Sequence, residues 1–136
     1  MDFGHWTLEA RDFAFIPRAE AWGYKYFKTP DFSLGINKKD MLHHSVFLKF
    51  KSETSHEEQA YFIAESRKLA QIPGVMNLQV LEEFNATNPY THGLGMDFED
   101  QAAYDVYSNH PLHNRFVQEV WLPRVEKWQE IDFREI

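Results

Sequence analysis

Two imidazoles stand three residues apart in His110-Pro111-Leu112-His113, with Tyr107 three positions upstream. Proline suits the first turn of a helix but not its interior, so this segment predicts a helix boundary at Ser108–Pro111. A helix starting there puts His110 and His113 on the same side of its first turn, with Tyr107 on the last turn of the helix before it. Histidine exchanges a proton near neutrality, its unperturbed pKa being roughly 6.5, and a phenol donates or relays a hydrogen bond. The chemistry this combination suits is general acid–base proton transfer, with imidazole as base or acid and the phenol sharing or relaying a hydrogen bond. A plainer reading stands beside it: a His-Pro pair also serves as a helix cap, and Tyr107 as a core aromatic.

The elements that would position these groups are legible from His44 onward. His44, Val46, Leu48 and Phe50 alternate on one face of a strand. Ser55 and Glu58 have capping-box spacing, and Phe62, Ile63, Ser66, Leu69 and Ala70 form the inner stripe of a helix that Pro73-Gly74 stops near Ile72. A second strand is expected over Val75 to Phe84, with Met76, Leu78, Val80 and Phe84 on one side. A third runs from Tyr90 to Glu99, with His92, Leu94, Met96 and Phe98 sharing a face. Gly93 and Gly95 leave its other face bare, which suits close approach by another group. Asp100 caps the next helix, Leu112, Phe116 and Val120 repeat along the one after it, and Pro123 breaks or kinks that helix. A short last strand is expected over Glu130 to Glu135.

The resulting order, β-α-β-β-α-β, is that of an α+β, ferredoxin-like protomer: a four-stranded antiparallel sheet with both helices on one face. A domain of residues 44–136 leaves the other face to be covered, which points to a homodimer. In the protomer, His44, His92, His110 and His113 are expected to converge on one cavity between sheet and helices that takes a small molecule.

Residues 1–43 differ from the rest. Nine aromatics, Trp6, Trp22 and Tyr24 among them, lie there without a sustained period, and Pro17, Pro30 and Gly35 punctuate them. This stretch reads as an arm that docks its aromatics on the barrel or on a partner subunit.

The net charge of −7 falls entirely in 44–136, because 1–43 hold six basic and six acidic side chains. An acidic domain without a basic stripe is a poor match for nucleic acid or anionic lipid. No apolar run reaches the roughly 18 residues of a membrane span, and the first residues lack secretory-signal character, so a cytoplasmic protein is expected. The absence of cysteine rules out disulfides and thiolate sites. Imidazoles at i and i+3 can share an ion, but the sequence offers no His-Glu-x-x-His set. Neither a metal nor a cofactor is expected.

Five segments in order, His44-Ser45-Val46-Phe47-Leu48-Lys49-Phe50, Ile72-Pro73-Gly74-Val75, Tyr90-Thr91-His92, His110-Pro111-Leu112-His113 and Asp132-Phe133, resemble the stress-responsive alpha/beta barrel domain (Dabb) family over about Leu42 to Phe133. The arm departs from the common family pattern. The resemblance implies protomers whose sheets pack together into a dimeric alpha/beta barrel. It also implies, from the family's plant olivetolic acid cyclase, a cofactor-free aldol cyclisation of a poly-β-keto chain. By position, His113 is then the base, Tyr107 assists, and His44, His92 and His110 line the pocket. The alternatives within the same architecture are a non-enzymatic stress-response or structural barrel, a haem-binding protein and a cofactor-free monooxygenase.

Overall fold

The computed structural model describes residues 37–136; the arm expected over 1–43 falls outside them except for its last residues, where a 3₁₀ turn at Lys38–Asp40 leads into the first strand. The strands are β1 (Leu42–Phe50), β2 (Met76–Glu82), β3 (His92–Phe98) and β4 (Val125–Arg134). Between them run α1 (His56–Arg67, with a 3₁₀ turn Lys68–Gln71), α2 (Gln101–Asn109) and α3 (Pro111–Arg115). The sheet is antiparallel, in the order β2-β3-β1-β4. This is the ferredoxin-like α+β fold.

Local chemistry sets the helix boundaries. Ser55 and Glu58 form the reciprocal capping box at the start of α1, and Asp100 accepts from the Ala103 N–H at the start of α2. Gly74 turns the chain after α1 with φ +89°, and a side chain there would press on Ala103 Cβ at 3.3 Å. Beneath the helices, Leu48, Phe98, Phe62, Ile72 and Val120 are sealed from solvent. Full burial of such side chains contributes about 1.5–3 kcal/mol each.

Three expectations need correction. Asn77 adopts φ 52° at a bulge in β2, so two β2 residues oppose one on β3. Met76 consequently pairs opposite Asp97 on the far face, while Leu78 and Val80 pack on the core. Phe84 lies beyond the end of β2 and is fully exposed. The last strand is ten residues long and starts at Val125. The sequence reading found only its second half, because it is an edge strand whose side chains are mostly charged or exposed and no apolar alternation marks its first half.

The helix after His110 is also not a plain α-helix. Phe116–Trp121 winds as a π-helix before a last turn, Leu122–Arg124. Pro123 has no N–H to donate back along the helix. The Arg124 guanidinium donates instead to the Glu119 and Val120 carbonyls, each at 3.1 Å. The wider winding turns both Val120 and Trp121 inward beside Phe116, whereas Leu112, expected on that stripe, is exposed.

On the sheet face away from the helices, Phe47 lies across Gly93, where a Cβ would meet the ring at 3.1 Å. Met76, Leu81, Ile131 and Phe133 share this face by register.

Candidate active site

Two helices meet at His110. Its backbone is extended (φ −70°, ψ 139°), it ends α2, and its ring Nδ1 accepts from the Leu112 N–H at 3.1 Å to begin α3, with Pro111 in the first turn. Across this break, Tyr107 on α2 and His113 on α3 face each other, ring centroids 4.5 Å apart.

The tautomer of His113 follows from its partner. Nδ1 lies 3.1 Å from the Ser108 carbonyl oxygen, which can only accept, so Nδ1 carries the proton and the neutral ring has its lone pair on Nε2. Burial holds the His113 pKa below its ordinary 6.5, the Ser108 bond opposing this and the nearby His44 adding to it. A neutral base at pH 7 is the result. Burial also pushes the Tyr107 phenol well above its ordinary range, so it remains a proton donor. Among the described residues its hydroxyl has no hydrogen-bond partner.

These side chains open on a cavity of about 320 Å³ between the helices and the inner face of β1, β3 and β4. Val46, Leu94, Phe116, Val117 and Trp121 form its apolar wall, and Trp128 stands edge-on to Trp121 at 6.2 Å. The polar side holds His44, Tyr104, Tyr107, His113 and Glu130. His44 is buried, and its Nδ1–H donates to Asp132 at 2.7 Å, with Glu130 at 3.6 Å. Tyr104 donates to Glu130 at 3.0 Å, and its phenol is pushed up to about 12, chiefly by burial.

His113, Tyr107 and His44 are therefore brought together, as expected from the sequence. His110 is not: its ring nitrogen is occupied as a helix cap and it does not line the cavity. His92 is not either: its ring packs edge-on to Phe50 at 4.9 Å and is bonded to Thr91, and it does not line the cavity. A place on the inner face of a strand does not by itself bring a residue to the cavity, which on β3 is reached by Leu94. The sequence reading missed Tyr104, Trp128 and Glu130, and gave Asp132 no role. Tyr104 was detectable one helical turn before Tyr107, and Trp128, Glu130 and Asp132 share the period-2 face of β4.

Among the described residues, His44, Glu130 and Asp132 form the cluster able to hold a metal ion, their ligand atoms lying within 4.8 Å of one another. The His44–Asp132 hydrogen bond already uses the imidazole nitrogen nearest the carboxylates, so an ion would have to replace it. No helix among the described residues is long and apolar enough to cross a membrane.

A ferredoxin-like domain with a histidine-bearing cavity between helices and sheet is the class this geometry defines. Residues 42–135 match the Stress Responsive A/B Barrel Domain, and the chain belongs to that family. A Dabb family protein of ferredoxin-like fold from Mesorhizobium loti is 36% identical, the match covering 71% of this chain and 97% of that one with a TM-score of 0.67. Hydroxynitrile lyase from Passiflora edulis is similar in fold at 20% identity, covering 72% of this chain and 95% of that one, TM-score 0.66. A dimeric ferredoxin-like protein of unknown function from Bacteroides fragilis is similar at 17% identity, covering 73% and 100%, TM-score 0.59. No curated protein matches the chain.

Proposed function

We propose that this protein is a homodimeric, cytoplasmic A/B barrel protein that binds a small carbonyl compound and abstracts a proton from it with His113. The observation that carries this reading is the Ser108–His113 bond, which leaves a basic Nε2 beside the Tyr107 phenol on an apolar-walled cavity. Nε2 takes the proton from a carbon between two carbonyls, and the C–H electron pair moves into an enolate whose oxygen accepts from Tyr107. In a ligand with a further carbonyl in reach, beyond the two that flank the carbon, the enolate carbon attacks it, a C–C bond forms, and the resulting alkoxide recovers the proton from Nε2–H. This is an aldol cyclisation or, run backwards, a lyase reaction, and no cofactor is needed for its proton balance. That a hydroxynitrile lyase shares the fold is compatible with C–C bond chemistry in such a cavity.

The dimer is supported by the apolar residues on the helix-free sheet face and by the dimeric relative from Bacteroides fragilis.

Deuterium exchange at the central carbon of ethyl benzoylacetate, followed by NMR above the buffer background, tests the chemistry. The wild type accelerates exchange and His113→Ala falls to background. Equal acceleration by both proteins would sink His113 as the base, and no acceleration by the wild type would favour the non-enzymatic barrel.

A further inference from the structure

The cavity's charge is one-sided. Glu130 is the one formally charged side chain among its described lining residues, and no lysine or arginine accompanies it. Just behind it, Asp132 is hydrogen-bonded to His44. Whether His44 is protonated or neutral, the group His44, Asp132 and Glu130 carries net negative charge. Arg134, two residues further along β4, lines a separate hollow beyond His44 and Tyr104. Glu130 is fixed in place by the Tyr104 hydroxyl at 3.0 Å and is about half exposed, which puts its carboxylate where the cavity meets solvent.

We propose that Glu130 is a specificity-determining residue that admits neutral or cationic ligands and turns away carboxylates, so that the ligand of this cavity is an uncharged carbonyl compound or one bearing an amine. The inference rests on the ligand-cavity reading above and narrows its substrate class. A carboxylate entering the cavity meets the net negative charge of the His44, Asp132 and Glu130 group, and no lysine or arginine lines the cavity to offset it. In a partly wet cleft a unit like-charge contact weakens binding by roughly tenfold, and an opposite charge strengthens it by a similar factor. The apolar wall of Trp121, Trp128, Phe116 and Leu94 supplies the non-polar contact common to ligands of every charge.

Benzoate, benzamide and benzamidine are nearly isosteric and carry charges of −1, 0 and +1 at pH 8, so their dissociation constants read the charge preference alone. Titration of full-length protein by NMR or calorimetry is expected to give benzamidine tightest, benzamide next and benzoate weakest, with roughly tenfold steps. Glu130→Gln keeps an acceptor for Tyr104 while removing the charge. It should draw benzoate and benzamidine toward benzamide and leave benzamide unchanged. Glu126→Gln removes an equal charge from the same strand, where Glu126 faces Lys49 away from the cavity, and should leave the order intact. Benzoate binding as tightly as benzamide, or steps between the three compounds as large in Glu130→Gln as in the wild type, would overturn the proposal while leaving proton abstraction by His113 standing. Failure of all three compounds to bind would overturn it together with the ligand-cavity reading.

Discussion

The rings of Tyr107 and His113 lie 4.5 Å apart although they belong to different helices, because His110 and Pro111 end one helix and start the next between them. On one unbroken helix six positions would set them roughly 120° apart around the axis, so the break is what brings the two groups face to face at a cavity corner. Tyr107→Phe keeps the ring and its packing against Phe98 while removing the donor. Proton abstraction is expected to slow by about a hundredfold, the usual cost of one oxyanion donor, with the melting temperature little changed. Full activity in Tyr107→Phe would leave the phenol a packing residue.

The pH profile should carry the mark of His113. Burial lowers its pKa, so the base form persists to lower pH and the acid limb of kcat/KM is expected below the ordinary 6.5. Both phenols are raised, so neither contributes an alkaline limb near neutrality. The same shift contributes to stability with a definite sign. Below pH 6.5 the unfolded chain binds the proton more readily than the folded one, and this contribution is lost as pH falls through that window. An acid limb above 6.5 would contradict the assignment.

His110 is expected to behave as a cap and not as a ligand. His110→Asn keeps a side-chain acceptor for the Leu112 N–H and should retain both stability and exchange activity. His110→Ala should lose about 1 kcal/mol in chemical denaturation, the usual value of a cap, while ligand affinity is unchanged. A loss of affinity in both variants would return His110 to the binding site.

Much of this architecture is written in the sequence at short range. The strand alternation of His44 to Phe50, the Ser55–Glu58 box and the Asp100 cap each depend on residues within a few positions of one another, and each forms as expected. The misplaced features depend on partners distant in the chain. Asn77's left-handed backbone reverses the side of Met76, and the length of β4 is set by pairing with β1. The site divides in the same way. Tyr107 and His113 are joined by local geometry, but the His44–Asp132 bond spans 88 positions and depends on strand register. His92 has the expected face, but its ring is taken up by Phe50 and Thr91.

Phe133 tests the sheet-to-sheet dimer without disturbing the protomer's core. It lies on the helix-free face, opposite His43, and is 58% exposed. Phe133→Glu should leave the protomer folded yet convert a dimer to monomer in light scattering, because an unpaired charge buried in an interface costs several kcal/mol. A dimeric Phe133→Glu protein, or a monomeric wild type, would contradict that arrangement.

The central claim is that His113 stands neutral at pH 7, protonated on Nδ1, with a basic Nε2 available to a ligand. Long-range ¹H–¹⁵N spectra of protein labelled at its histidine rings, assigned by loss of one signal in His113→Ala, report tautomer and titration together. The account predicts an Nδ1–H tautomer that stays neutral down to a pH below 6.5. A proton on Nε2 at neutral pH, or a titration midpoint above 6.5, would contradict it.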